Sequence, residues 1–554
     1  MWIVIISTMK KITSIAVLLL MSAMAFAGNF PEKVKPTKNV IIMVPDGTSP
    51  GVLSAARWYQ RYMTDLGFDL NLSEIICGFA ETSISNSPMP CSAAAMSSIM
   101  TGVLSKAGYV STYPHLDPEQ DIVKLDGEKT LQPLMTAMEA GRLKGKATGI
   151  VVTTKLYHAT PAACVSHTDD RNDSRIITYQ AASSGLDVLF GGGNSRVNSH
   201  TREILKDKNI KYIKEDLAAF RDHKEGKVWA IFAESDLAYD IDRDETKEPT
   251  LAEMTSKAIE LLSKDKDGFV LMVEGSQVDF AAHAKDPVGI VTEFLAFDRA
   301  VGVAVDFAKK DGNTTVVVLP DHGTSGVTLG KSGYSKGYRK GLKPAYEGMA
   351  GFKASADKLT ELLRECDTTQ IRSIFKEWTN IDLTDEEYRD IVENQDVKEV
   401  HYMAVTESRN LFAEIAKIMT NRANFGYTSG SHTGEDVFFA AYHPKGQVPT
   451  GIITFAEVNN YICKALGLKQ TLEELSDVYY VDHTKVFAGK ECTIVEDKDC
   501  PKLIVNHAGK ELVIPGWRSY VTYGEKRYEL PTNAVYMKTN KKFYIPKDIL
   551  NITR

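Results

Sequence analysis

Long apolar runs are scarce in this chain of 554 residues. Past the first 30 residues no stretch reaches the roughly 20 apolar residues that a bilayer-spanning helix needs, so no helical span is expected there. Cysteine is also sparse, with 7 in the whole chain, too few for a disulfide-built scaffold. Positive charge is not in excess: 65 Lys and Arg stand against 72 Asp and Glu, a net −7, which argues against a nucleic-acid binder held by phosphate neutralisation. Hydrophobic content of 43% with 25% charged residues excludes disorder, collagen and coiled coil as descriptions of the whole chain. What remains is a large globular protein.

The N-terminus carries Met9-Lys10-Lys11, an apolar run from Ile15 to Met21, and Ala25-Phe26-Ala27 before Gly28. A basic start, a short apolar centre and an A-x-A end predict a secretory signal peptide over residues 1–27, and with it an exported protein, periplasmic or extracellular, without a transmembrane anchor. In an oxidising compartment Cys492 and Cys500, eight apart, are expected to be able to close a small loop.

Short apolar runs at Val40–Val44, Gly149–Thr153, Leu186–Phe190, Phe269–Val273 and Thr315–Leu319 read as buried parallel strands, with Val437–Tyr442 a further candidate. Helical spacing in Leu251–Lys264 and Val291–Lys310, the latter stopped by Gly312, separates them. Alternation of this kind predicts an α/β fold, a mostly parallel sheet sandwiched by helices, with ligands beyond the carboxyl ends of its strands. Residues of about 330–425 interrupt the alternation and read as an inserted helical subdomain. The catalytic unit is expected over 28–475, and residues 476–554, with Pro-ended strands at Glu511–Pro515, Tyr528–Pro531 and Phe543–Pro546, as a small β-rich module.

Acids and imidazoles stand next to four of the proposed strands: Asp46 after the first, Glu274, Asp279 and His283 after Phe269–Val273, Asp321 and His322 after Thr315–Leu319, and His432 ahead of the last candidate. Asp279 and His283, four apart, share one face if their segment is helical. Converging His and carboxylate donors suit Zn²⁺, whereas Glu274 and the hydroxyl of Thr160 are hard oxygen donors better suited to Mg²⁺. Taken alone, Ser92 in Pro-Cys91-Ser92-Ala93-Ala94 reads as a helix cap and Arg171 as a surface salt-bridge residue.

Together these motifs, in this order from about Val40 to Tyr442, resemble the alkaline phosphatase family. The resemblance implies Asp279, His283 and His432 as ligands of a first zinc, Asp46, Asp321 and His322 as those of a second, and Thr160 and Glu274, with Asp46 bridging, around a third metal, magnesium in much of the family. His158 stands where members carry Asp or His and is a secondary candidate ligand that favours zinc in the third place. Ser92 is implied as the nucleophile that forms a phosphoserine and Arg171 as the clamp on the substrate phosphate. Cys91 replaces the family aspartate that orients that arginine, and Phe280 stands where other members often carry Lys or His. The implied activity is hydrolysis of small phosphate monoesters by a phosphoric monoester hydrolase; family members are often dimers, which implies a homodimer here. A phosphodiesterase on the same metal scaffold usually lacks the clamp. A sulfatase is disfavoured because Cys91 is not followed by the C-x-P-x-R pattern, and a non-catalytic metal-loaded surface protein by the intact ligand set.

Overall fold

The computed structural model describes residues 30–331, 339, 341, 343–398 and 409–553; the segment read as a signal peptide lies outside them. Ten strands form the central sheet: β1 (Asn39–Pro45), β2 (Ile76–Glu81), β3 (Ala147–Lys155), β4 (Val188–Gly192), β5 (Lys211–Lys214), β6 (Val228–Ile231), β7 (Phe269–Gly275), β8 (Thr314–Val318), β9 (Val437–Tyr442) and β10 (Gly451–Thr454). Their order is β10-β2-β9-β8-β1-β7-β3-β4-β6-β5. β1 pairs in parallel with both β7 and β8, so the polar residues that follow these three strands emerge along one edge.

Residues alternate between the two faces, and both faces are covered. Ile41 and Met43 of β1 belong to one apolar cluster, Val40, Ile42 and Val44 to the other. This is why the run reads as continuously apolar rather than alternating. The six predicted strands all form, Leu186–Phe190 displaced by two residues toward its C-terminus. One departs from the expected direction: β9 runs antiparallel to both β2 and β8.

Among the helices, α1 (Ser92–Thr101), α2 (Ala159–Val165), α3 (Ser174–Ser183), α4 (Gln277–His283) and α5 (Pro287–Asp311) position the site. α5 begins with Pro287 and an Asp286 cap and ends at Gly312, whose φ of 68° needs no Cβ to be accommodated. It buries Glu293, 3% exposed, whose Oε1 accepts from the Asp240 amide at 2.5 Å. Helices at Ala356–Glu365, Ile371–Thr379, Asp385–Asn394 and Leu411–Arg422 fill the described part of the 330–425 region.

A second, antiparallel sheet closes the chain: β11 (Val481–Asp482), β12 (Cys492–Val495), β13 (Lys502–His507), β14 (Lys510–Pro515), β15 (Arg518–Tyr523), β16 (Lys526–Met537) and β17 (Lys542–Ile545), in the order β11-β17-β16-β15-β14-β13-β12. Pro531 does not end a strand, contrary to the expected pattern. It sits inside β16 where pairing with β15 jumps from Arg518↔Ala534 to Tyr520↔Glu529, an irregularity that spares it a ladder hydrogen bond. Cys492 and Cys500 are both free thiols, as are the other five cysteines. Cys492 pairs with Val505 at one end of the β12–β13 hairpin, whereas Cys500 lies in the connection beyond Val495, three residues of extended chain away, about 10 Å by strand rise. Trp517, Val521 and Phe543 of this sheet join the same apolar cluster as Val40 and Ile42, so the second sheet packs onto the first body.

Candidate active site

The turn after β1 places Asp46 at full burial, and Gly47 follows at φ 64°. A side chain there has no room: a Cβ would lie 2.4 Å from Asp279 Oδ1. The Gly47 amide donates instead to Asp321 Oδ1 at 3.1 Å, joining the ends of β1 and β8. After β7 the chain turns into α4, and the four-residue spacing does bring Asp279 and His283 together on one face, His283 Nε2 3.5 Å from Asp279 Oδ1.

Three groups of donors result, each with ligand atoms within 4.8 Å of one another: Asp279, His283 and His432; Asp46, Asp321 and His322; and Asp46, His158 and Glu274. Asp46 belongs to two of them. Thr160, at the start of α2, donates its hydroxyl to Asp46 Oδ2 at 3.4 Å and so stands at the third. His283 Nδ1 donates to the Gly430 carbonyl and His432 Nδ1 to the Pro90 carbonyl, each at 2.8 Å, which fixes Nδ1 as a proton-bearing nitrogen in both rings and leaves Nε2 toward the group. The rings of His322 and His432 stack with centroids 3.7 Å apart.

The electrostatics call for cations. Burial pushes the Asp46 carboxyl well above the ordinary carboxylate range, and Asp321, Asp279 and Glu274 push it further. Burial likewise raises Glu274 and Asp321. For Asp279 burial is outweighed by His283, His432 and His322, which hold its carboxyl well below the usual value. Asp46 Oδ1, Asp321 Oδ2 and both oxygens of Glu274 are buried and make no hydrogen bond. Four carboxyls so close cannot all ionise in a low-dielectric site unless positive charge joins them. The donor sets, two His with a carboxylate, one His with two carboxylates, and an oxygen-rich third, fit divalent metals.

Ser92, 2% exposed, opens α1 with its Oγ 3.2 Å from His322 Nε2. Cys91 occupies the cap position but makes no side-chain capping bond, so the first amides of α1 are left for another acceptor. Ser92, His158, Arg171, Phe280 and His432 line one cavity of about 430 Å³, together with Lys155, Tyr157 and Asn172. Arg171 donates from Nη2 to His158 Nε2 at 3.2 Å. Burial, and then the adjacent Arg171, push the His158 imidazole down to about 3, so this ring is neutral and accepts. Every candidate site residue read from the sequence thus comes together at one end of the central sheet. Two contributors were not read there: Thr324, whose hydroxyl donates to Asp279 Oδ1 at 2.6 Å, and Asp236, which pairs with Lys155 at 3.2 Å. Asp236 lies in an unremarkable acidic loop; Thr324, two residues past His322, is signalled only by that proximity.

A sheet of this topology with three adjoining donor groups and a serine at a helix start defines a metal-supported hydrolase class. The sequence model of the family described as alkaline phosphatase matches residues 37–468. Alkaline phosphatase 3 of Bacillus subtilis is 32% identical over 486 residues, covering 82% of this chain and 97% of its own. Alkaline phosphatase 4 of the same organism is 31% identical over 491 residues, with 82% and 97% covered. Among solved structures, a cold-active alkaline phosphatase from Shewanella sp. superposes with a TM-score of 0.67 at 26% identity, covering 77% of this chain and 99% of that one. The chain belongs to the alkaline phosphatase family, a family of phosphoric monoester hydrolases. The family match ends before β11. Among the described residues no helix is long and apolar enough to cross a membrane.

Proposed function

We propose that the protein is an exported, metal-dependent phosphomonoesterase that works through a phosphoserine on Ser92. The observation that carries this reading is the position of Ser92 Oγ, 3.2 Å from His322 and on the wall of the cavity shared with Arg171 and His432. Asp279, His283 and His432 would hold one zinc, Asp46, Asp321 and His322 a second, and Glu274, Thr160 and Asp46, with His158, a magnesium or a third zinc. When bound, these cations allow the four carboxyls to ionise together, lower the pKa of a serine hydroxyl and of water, and stabilise the transferring phosphoryl group.

The chain's own residues do the rest. Ser92 Oγ attacks phosphorus in line, the bond from phosphorus to the alcohol oxygen breaks, and the alcohol leaves with the proton that Ser92 lost. Water then attacks the phosphoserine, releases inorganic phosphate and returns a proton to Ser92. Arg171, in leaving neutral His158, offers two parallel N–H donors to the phosphate oxygens, and the free amides at the start of α1 add further donors. We further read residues 28–475 as the catalytic unit with an inserted helical subdomain at about 330–425, residues 476–554 as a β-rich module, the leader 1–27 as the export signal, and a homodimer as the working form, which size-exclusion chromatography with light scattering tests.

The decisive assay is hydrolysis of p-nitrophenyl phosphate, with bis-p-nitrophenyl phosphate and p-nitrophenyl sulfate in parallel, after chelation and after return of Zn²⁺ and Mg²⁺. Metal-restored monoester activity is the expected result. Preference for the diester, or no activity with metal bound, overturns the reading.

A further inference from the structure

The aspartate that the family resemblance implies as the brace of Arg171 is Cys91 here, yet the segment that carries Arg171 is held from both sides. Its main chain is pinned first. Val110 and Thr168 exchange backbone hydrogen bonds of 2.8 and 3.1 Å, and the Arg171 amide donates to Gly108 O at 2.8 Å. The side chains two residues away in each direction then reach out of the catalytic body. Asp169 accepts the hydroxyl of Thr539. Asp173 accepts the ammonium of Lys538 at 2.5 Å.

Lys538 and Thr539 begin the turn between β16 and β17, in the C-terminal sheet that lies beyond the family match. Asp173 has given up an ordinary role for this contact. It stands at the N-cap of α3 but makes no side-chain capping bond, although Asp is among the preferred capping residues. The same sheet and its β12–β13 connection are fastened to the C-terminal half of α3. Asp499 accepts from the Tyr179 hydroxyl at 3.0 Å, Asn533 Nδ2 donates to Gln180 O at 2.9 Å, and the Ser519 amide donates to Ser183 Oγ at 2.9 Å. The β16–β17 turn is therefore seated on a fixed platform when it grips the residues on either side of Arg171.

We propose that the C-terminal sheet is a positioning element of the phosphate clamp, with Lys538 and Thr539 holding the 169–173 segment so that Arg171 meets the substrate phosphate at a defined angle. The proposal rests on the reading of Arg171 as the clamp. It assigns Lys538 and Thr539 as positioning residues, acting through Asp173 and Asp169 and touching no substrate. The physical reason is that a bidentate guanidinium contact depends on geometry, and a displacement of about 1 Å in a group that positions substrate costs rate and affinity steeply.

The test uses the zinc- and magnesium-loaded full chain, with inorganic phosphate as the competitive probe. In the Lys538→Ala/Thr539→Val variant, the inhibition constant for phosphate and the KM for p-nitrophenyl phosphate are expected to rise about fivefold, with kcat moving less and the melting temperature little changed. Lys538→Arg alone, which keeps the charge beside Asp173 and leaves Thr539 in place, holds both constants at the wild-type values. Arg527→Ala, which breaks ion pairs of the same sheet to Asp207 and Glu529, leaves them unchanged. Arg171→Ala weakens phosphate more than any of these. If Arg171→Ala weakens phosphate binding while the double variant stays within twofold of wild type, the brace is refuted and the clamp stands. If Arg527→Ala acts as strongly as the double variant, the effect is general destabilisation and the proposal fails. If Arg171→Ala itself has no effect, clamp and brace fall together.

Discussion

Glu293→Gln gives a test of the buried electrostatics whose size can be worked out in advance. Glu293 lies inside α5, and burial pushes its carboxyl up to about 8 from an ordinary 4.5. In the unfolded chain the group loses its proton as pH passes about 4.5, while the folded chain keeps it to about 8, so the folded state binds more protons across that window and stability falls as pH rises through it. At about 1.4 kcal/mol per pH unit the penalty is about 3 kcal/mol at pH 7 and about 5 kcal/mol above pH 8. Glutamine cannot ionise and keeps an oxygen to accept from the Asp240 amide, although its buried NH₂ group costs about 1 kcal/mol unless it finds an acceptor. The variant is therefore expected to be more stable than wild type by about 2 kcal/mol at pH 7 and about 4 kcal/mol at pH 9, and no more stable at pH 4. For a chain of this length that is a rise in melting temperature of about 2 °C and about 4 °C. Scanning calorimetry of both proteins across the pH range measures it. Two curves of melting temperature against pH that run parallel would show that Glu293 titrates near its ordinary value and refute the reasoning.

Ser92→Ala is expected to bind its metals normally, to acquire no covalent phosphate on mixing with substrate at acid pH, and to lose at least about a thousandfold in kcat; turnover near wild type would exclude Ser92 as nucleophile. Gly47→Ala drives a methyl group toward Asp279, so metal content and activity should fall together, the latter about a hundredfold; a variant with full metal content and full activity would show that the turn yields more easily than the close contact implies.

Much of this architecture was readable because it is local. An apolar run buried on both sides must be written as an unbroken run, and Val40–Val44 and Phe269–Val273 stand out for that reason. The spacing of Asp279 and His283 needed only a helix to become a pair of neighbouring donors. Strand direction is different. Val437–Tyr442 is as apolar as its neighbours, and nothing in its residues states that it enters the sheet reversed, since direction is set by where the preceding chain leaves it. Pro531 misled for a related reason: a proline ends a strand only if its missing N–H is needed, and a skip in the pairing removes the need. The bond from Arg171 to His158, thirteen residues apart, and the contacts of Lys538 and Thr539 across more than 360 residues depend on tertiary placement and leave no local trace.

The C-terminal sheet also sets an order of events in the making of the protein. Trp517, Val521 and Phe543 belong to the same apolar cluster as Val40 and Ile42, so a cluster begun by the first strand synthesised is completed only by nearly the last residues of the chain. Domains made from the N-terminus can usually fold as they emerge. Here residues 37–468 carry every donor of the metal groups, yet α3 and the segment bearing Arg171 gain their outer support only when β15 to β17 have been made. A chain that folds from its N-terminus, wherever it emerges, would bring the metal-donor groups together before the sheet that braces the Arg171 segment has arrived.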